Sequence, residues 1–286
     1  MAPQSVLITG CSSGIGLATA VMLAKDKQHQ FKVYATMRNL KSKANLEKAA
    51  GDTLNKNLFI RELDVTKEAT ITSVVDEILR ENGRIDVLVN NAGYTGLDGV
   101  DQKPMEFGLA MMDTNFWGPV RTMRAVLPAM KKQKSGRILN VSSMAAVHAV
   151  PFHAMYSATK FALEGFSEAS SSVLKDVYNI RVLIVEPGPT NTEMIAKNMS
   201  LPPAEQAKDF EAPLKDAFLK SLEGMTDRLK NLVQQPEEVA QVIQEVILSE
   251  NPHLRTQASD ILKKEAAKKF LDPHTDGFMK EKWQKK

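Results

Sequence analysis

Tyr156 and Lys160 stand four residues apart in Tyr156-Ser157-Ala158-Thr159-Lys160, which puts a phenol and an ammonium on one face of a helix. A phenol ionises near pH 10, so it is a poor acid–base group at neutral pH unless a neighbouring cation favours its phenolate. Lys160 is placed to supply that cation. The pair alone is weak, because ordinary composition produces one by chance in about half of all chains this long. Its company is more specific. Ser143 follows an apolar run ending at Val141, Asn90-Asn91-Ala92-Gly93 follows another, and Asn115 lies inside the helical stretch that comes next.

A second chemical signal is Thr9-Gly10-Cys11-Ser12-Ser13-Gly14-Ile15-Gly16, placed between the apolar run Val6–Ile8 and a helix-period stretch. Glycines there let the backbone turn tightly and approach a pyrophosphate, whose charge is held by the N–H groups of the helix start. The spacing is G-x-x-x-G-x-G, not the G-x-G-x-x-G of many dinucleotide enzymes. The cofactor's identity is read at the end of the second apolar run, Tyr34-Ala35-Thr36-Met37-Arg38-Asn39. A carboxylate there would hold the adenosine ribose hydroxyls of NAD, whereas arginine accommodates a 2′-phosphate. No carboxylate is present, Arg38 is, and Ser12 adds a hydroxyl donor. The expectation is NADP(H).

The elements that must position these groups alternate. Short apolar runs at Val6–Ile8, Lys32–Thr36, Leu58–Leu63, Asp86–Val89, Arg137–Val141 and Arg181–Val185 are separated by amphipathic stretches, among them Ile71–Leu79, Met105–Met130 and Tyr156–Tyr178. A last short strand is expected at Leu254–Thr256. This alternation predicts an α/β fold: a Rossmann-type, doubly wound parallel sheet in a three-layer α/β/α sandwich. Ligands of such sheets bind at the carboxyl ends of the strands, where Ser143, Asn91 and the glycine turn all fall. Residues 193–235, with Pro202, Pro203 and Pro213 and two short amphipathic pieces, read as a substrate-lid insertion. A helix starts again at Pro236. The tail, 261–286, carries eight Lys against four acidic residues and reads as a solvated basic end. The expectation is one domain over 1–286.

The 286 residues are 43% hydrophobic and 25% charged, which suits a globular chain with a sizeable core and argues against a disordered or coiled-coil protein. The single cysteine, Cys11, excludes an internal disulfide, so a reducing, cytoplasmic setting is expected. No apolar stretch is long enough to span a membrane, and the first ten residues lack the pattern of a signal peptide. A net charge of +3 is too small to imply nucleic acid. The five scattered His form no metal-ligand spacing, so no metal is expected. Cys11 reads as a small packed residue more than as a redox sensor.

The glycine turn, Asp64-Val65, Asn90–Gly93, Asn115, Ser143, Tyr156, Lys160 and Pro187-Gly188 occur in one order, and over residues 5 to 192 the chain resembles the short-chain dehydrogenase/reductase family. Val6–Leu17, Phe31–Arg38 and Tyr156–Gly165 are similar to the branch that contains 17β-hydroxysteroid dehydrogenase type 1 and the photoreceptor-type all-trans-retinol dehydrogenases. The resemblance implies that Tyr156 exchanges a proton with the substrate oxygen. Lys160 lowers the phenol's pKa and binds the nicotinamide ribose, and Ser143 stabilises the reacting oxygen. Asn115 holds a water that links Lys160 to solvent. Thr9, Gly10, Ser12, Ser13, Gly14, Ile15, Gly16 and Arg38 would bind the cofactor's phosphates and adenosine. Asp64 and Val65 would meet the adenine, Asn91, Ala92 and Gly93 would line the cofactor, and Pro187, Gly188 and Thr192 would border the nicotinamide.

His153 and Met194 are the substrate-side candidates. Thr190 departs from the Val or Ile common in the family, and the 193–235 segment aligns poorly with the steroid enzyme. The implied activity interconverts an alcohol and a carbonyl on a small apolar substrate, retinol/retinal first, with a steroid dehydrogenase or broad carbonyl reductase as the alternative. A homodimer and weak peripheral membrane contact through the basic tail are the implied associations. No cysteine near the C-terminus is available for the lipidation seen in the retinol branch. A non-catalytic NADPH-binding sensor or scaffold is the alternative of another class. Such proteins tend to lose the tyrosine or lysine, and both are present.

Overall fold

A computed structural model of the chain describes residues 2–193, 202–223 and 233–271. Strands β1 (Gln4–Ile8), β2 (Phe31–Met37), β3 (Leu58–Glu62), β4 (Val87–Asn90), β5 (Gly136–Val141), β6 (Ile180–Glu186) and β7 (Arg255–Gln257) form one parallel sheet in the order β3-β2-β1-β4-β5-β6-β7. The chain runs outward from β1 to β3, then returns to lay β4 on the other side of β1. That reversal opens a crevice at the carboxyl ends of β1 and β4, the usual ligand position in such sheets.

Both sheet faces are apolar, so the inner strands read as near-continuous hydrophobic runs. One face packs on α1 (Gly14–Ala24), α2 (Ala44–Ala50) and a later helix, through Ala20, Leu23, Leu46, Val239, Ile243 and Ile247. The other packs on α3 (Glu68–Asn82), α5 (Gly118–Gln133) and α6 (Ala154–Tyr178). The stripe Ile71, Val74, Val75 and Ile78 shows why α3 is a helix here: its apolar residues recur at i, i+3, i+4 and i+7, and all four are buried. Each contributes about 1.5–3 kcal/mol of burial.

Two differences from the sequence reading are informative. The stretch expected as one helix over Met105–Met130 is α4 (Met105–Met112), a π turn at Asp113–Trp117, and α5. Pro119 has no N–H to give the carbonyl of Asn115, its i−4 partner, so the regular ladder breaks where Asn115 must be held. As the sequence reading expects, two short helices follow residue 201, α7 (Pro203–Gln206) and α8 (Ala212–Glu223), and then α9 (Pro236–Leu248) with a capping box between Gln235 and Glu238. Finally, part of the presumed solvated tail is a helix, α10 (Asp260–Leu271). Leu262 and Ala266 are buried against Met144 and Val147, because they fall four apart on one face. The strand ends otherwise lie within two residues of their expected limits.

Candidate active site

The glycine turn closes β1 onto α1. Gly10 has φ +74°, and a Cβ there would stand 2.8 Å from the Ala92 Cα. Only glycine fits so close a backbone approach. Gly14 has φ +58°, and a Cβ there would stand 2.9 Å from the Thr192 side chain, which brings the loop after β6 over the start of α1. A Cβ on Gly16 would collide with the Gly10 carbonyl and the Asn91 side chain. Ser12 and Ser13 are half-buried at the rim, and Ser13 makes no side-chain cap of α1. Ile15 packs on the core beneath. A small-residue cradle at a helix start whose N–H groups receive no side-chain cap fits an anionic dinucleotide phosphate.

Thr9 fixes the floor of the crevice. Its hydroxyl accepts the N–H groups of Asn91 and Ala92, each at 3.0 Å, while the Asn91 amide donates to the carbonyls of Thr9 and Gly10 at 2.9 and 3.0 Å. The β1 and β4 ends are therefore one unit. Arg38 is exposed just past β2. It faces Asp64, whose carboxyl burial pushes up, but the Thr66 N–H and hydroxyl and the charges of Lys67 and Arg38 hold it below its ordinary range. The Val65 side chain packs inward against Gly118, and its carbonyl accepts from Arg121 at 3.3 Å.

The catalytic candidates converge from three elements. Ser143 sits in extended backbone after β5 and its hydroxyl accepts the Ala145 N–H at 3.1 Å. Tyr156 lies in the first turn of α6 and is hydrogen-bonded to Ser143. Lys160, one turn on, is buried and donates to the Val141 carbonyl at 2.9 Å, with its Nζ 5.8 Å from the Tyr156 ring centre. Asn115 is buried in the π turn. Its amide donates to the Tyr94 carbonyl at 2.8 Å and the Thr159 hydroxyl at 3.1 Å, and its oxygen accepts the Tyr94 N–H at 3.0 Å. Gly93, exposed, lies against both Asn115 and Lys160.

Burial raises the Tyr156 phenol above its usual range, and the Ser143 hydrogen bond only partly offsets this. Burial also pushes the Lys160 ammonium down to about 8, with Glu164 pulling it up. In the structure the Lys160 ammonium is engaged by the Val141 carbonyl. A protonated phenol beside a serine hydroxyl can donate to a carbonyl oxygen.

Pro187 and Gly188 are held by partners that sequence reasoning did not single out. The Pro187 carbonyl accepts the Met144 N–H at 2.9 Å. Gln234, buried, accepts the Gly188 N–H at 3.1 Å and donates to the Ala258 carbonyl at 2.8 Å. Thr190 is buried beside it and donates to the Gly188 carbonyl at 3.0 Å. Asp98 was also missed. Buried in the loop after β4, it accepts the N–H groups of Ala154 and Met155 at 3.2 and 2.9 Å, so it caps α6 from a distant loop. No local pattern marks either residue, since each acts on a segment dozens of positions away.

On the substrate side, His153 is half-buried with Nδ1 3.2 Å from the Pro151 carbonyl. Burial lowers its pKa, with the Pro151 carbonyl and the charge of Asp98 acting the other way. Beside it Phe152, Phe210 and Phe218 form an aromatic nest with Leu97 and Leu214. The 202–223 segment docks there on the loop after β4, through Leu214 on Gly99 and a Lys103–Asp209 ion pair at 3.0 Å. Met194 and the tail beyond residue 271 lie outside the described residues. Among the described residues, no helix is long and apolar enough to cross a membrane.

A nucleotide cradle at the β1–β4 switch point and a Tyr–Lys–Ser–Asn cluster at its lip define a dinucleotide-dependent oxidoreductase. The short chain dehydrogenase family model matches residues 4–201, and the chain belongs to that family. It is 41% identical to retinol dehydrogenase 8 of Bos taurus over 95% of this chain and 86% of that protein. It is 36% identical to 17-beta-hydroxysteroid dehydrogenase type 1 of Homo sapiens over 89% and 77%. A solved short-chain dehydrogenase from Streptomyces avermitilis superposes with a TM-score of 0.76 at 28% identity, covering 97% of this chain and 96% of that one. A serine dehydrogenase complexed with NADP+ matches at TM-score 0.71 and 28% identity, over 89% and 94% of the two chains. An NAD+-bound xylitol dehydrogenase matches at 0.73 and 25%, over 89% and 96%. Both forms of the cofactor thus occur among similar folds.

Proposed function

We propose that this enzyme is an NADP(H)-dependent oxidoreductase that interconverts an alcohol and a carbonyl on an apolar substrate, retinol/retinal foremost. The observation that carries the reading is Tyr156, half-buried, hydrogen-bonded to Ser143 and one helical turn from a buried Lys160. When bound, the nicotinamide supplies or accepts the hydride. In reduction Tyr156 gives its proton to the carbonyl oxygen, while the Ser143 hydroxyl donates to the same oxygen and stabilises the charge developing there. Lys160 holds positive charge beneath the phenol as that proton leaves. Asn115, in the π turn, borders the Lys160 ammonium and would seat the water that returns a proton to it.

Arg38, exposed at the end of β2 with no carboxylate in Tyr34–Asn39, supports NADP over NAD. Asp64, Val65 and Asn91–Gly93 would take the adenosine and the cofactor's inner face, and Thr192 the nicotinamide end. The aromatic nest beside His153, covered by the 202–223 segment as a lid, supports an apolar substrate. The similarity to retinol dehydrogenase 8 favours a retinoid, and that to the steroid enzyme keeps a steroid as the second reading. Met105, Leu109, Trp117, Phe161, Val173 and Val177 are exposed apolar residues on α4, the π turn and α6, and a face of that kind supports a homodimer. NADPH oxidation with all-trans-retinal, estrone, a medium-chain aldehyde and a quinone, with NADH as control, tests the reading. Turnover of retinal or estrone alone supports it, and broad turnover of small aldehydes and quinones refutes the substrate assignment.

A further inference from the structure

Four consecutive turns of α6 present Tyr156, Lys160, Glu164 and Glu168 along one stripe. The first three engage the end of β5 and the residues just past it: Tyr156 meets Ser143, Lys160 donates to the Val141 carbonyl at 2.9 Å, and the Ser142 hydroxyl donates to Glu164 at 2.6 Å. Glu164 is 3% exposed, and its other oxygen is paired with Arg255 from β7. The same guanidinium reaches Glu186, fully buried at the end of β6, at 3.0 Å, and Glu168, largely exposed, at 2.9 Å. Gln257 donates to the second oxygen of Glu186 at 2.7 Å. The established features of the site leave this cluster without a task.

Its buried charged members are two carboxylates, Glu164 and Glu186, and one cation, Lys160, while the half-buried Arg255 pairs with both carboxylates and with the exposed Glu168. The other groups at the Lys160 ammonium are the Tyr156 phenol on its own helix and the Val141 carbonyl at the end of β5, both neutral. Removing the Glu164 charge takes away the carboxylate that favours the Lys160 ammonium against its burial. Arg255 cannot release a proton at working pH, so Lys160 is the group that must yield.

We propose that Glu164, clamped between Ser142 and Arg255, is a positioning residue that keeps Lys160 charged beneath Tyr156 and seats the segment from which Ser143 projects. The inference rests on Tyr156 and Lys160 acting as the acid–base pair. Burial raises the Glu164 carboxyl to about 7, with the charge of Glu186 adding and Ser142 and Arg255 opposing. Glu164 is therefore ionised only above about pH 7, and its charge bears on Lys160 between there and about pH 8, where the ammonium gives up its proton.

The test is Glu164→Gln, which keeps the shape and an acceptor for Ser142 but removes the charge. Two measurements are made: the pH profile of kcat/KM for reduction of an apolar carbonyl by NADPH, and direct NMR titration of Lys160 in protein carrying 13C-labelled lysine, assigned through Lys160→Met. The proposal predicts that the high-pH limb and the Lys160 titration both move down by roughly one to two pH units, the size of one nearby charge at intermediate dielectric. Ser142→Ala, which removes the hydroxyl that helps hold the Glu164 carboxyl down, should move both in the same direction but by less. NADPH affinity, unchanged within about twofold, verifies that the variant is folded. A Lys160 titration that stays where it is, or one that moves while the activity limb does not, overturns the proposal. A wild-type protein that reduces no carbonyl, with the Lys160 titration still moving in Glu164→Gln, refutes the functional reading and with it the catalytic meaning of the link.

Discussion

The carboxylate of Asp98 accepts the backbone N–H of Met155 at 2.9 Å, one residue before Tyr156. The α6 N-terminus is thus capped by a residue from the loop after β4 rather than by His153, which makes no side-chain cap. The Asp98 N–H also donates to the Phe152 carbonyl at 2.8 Å, so the loop after β4 and the turn presenting Tyr156 are joined through both the backbone and the side chain of one residue.

Removal of that cap is expected to cost about 1–2 kcal/mol of stability, the range of a lost helix N-cap. Asp98→Ala should lower the urea midpoint and reduce kcat more than NADPH affinity. Asp98→Asn, which keeps an acceptor, should retain much of both. Equilibrium unfolding with steady-state kinetics on the two variants measures this.

Arg38 should decide the cofactor. Losing a charge-assisted contact to a 2′-phosphate costs about 1.5–3 kcal/mol. Arg38→Ala is then expected to weaken NADPH binding by roughly ten- to a hundredfold and to leave NADH nearly unchanged. Fluorescence titration with both nucleotides checks it, and equal losses for the two would remove Arg38 from the phosphate site.

Cys11 is fully buried, and that burial pushes its thiol up to about 12, with a Thr36 backbone hydrogen bond opposing. The thiolate is the reactive form. Iodoacetamide at pH 7.5 should leave the native protein unmodified by mass spectrometry and alkylate it fully in urea. Rapid native alkylation would revive a redox role.

The glycine turn, the strand alternation and the Tyr156–Lys160 pair were legible because each is a short-range pattern whose chemistry follows from spacing alone. Asp98, Gln234 and Arg255 were not. Arg255 meets Glu164 across 91 positions of sequence, and nothing near either residue reports the meeting. The π turn was missed for a subtler reason. Pro119 stands one residue into α5, where proline also begins ordinary helices, so its effect on the Asn115 carbonyl shows only once the helix is seen to continue through it. The helix at Asp260–Leu271 was hidden by its lysines, which mask the Leu262–Ala266 face.

Glu164 also predicts a pH dependence of stability. Its carboxyl rises from an ordinary 4.5 to about 7 on folding, so between those values the folded chain binds the proton more tightly than the unfolded one. That contribution is complete below pH 4.5 and is lost as pH rises through 7. Relative to Glu164→Gln, the wild type should therefore be more stable at pH 4.5 than at pH 7.5. Urea unfolding of both proteins at the two values tests the sign.

The most direct test of the whole account is NADPH oxidation with an apolar carbonyl by the wild type and by Tyr156→Phe, alongside NADPH binding by each. The account predicts turnover by the wild type, a loss of about a hundred- to ten-thousandfold in the variant, the scale of a missing general acid, and equal NADPH affinity. Turnover by Tyr156→Phe near the wild-type rate would contradict it, as would a wild type that binds NADPH and reduces no carbonyl.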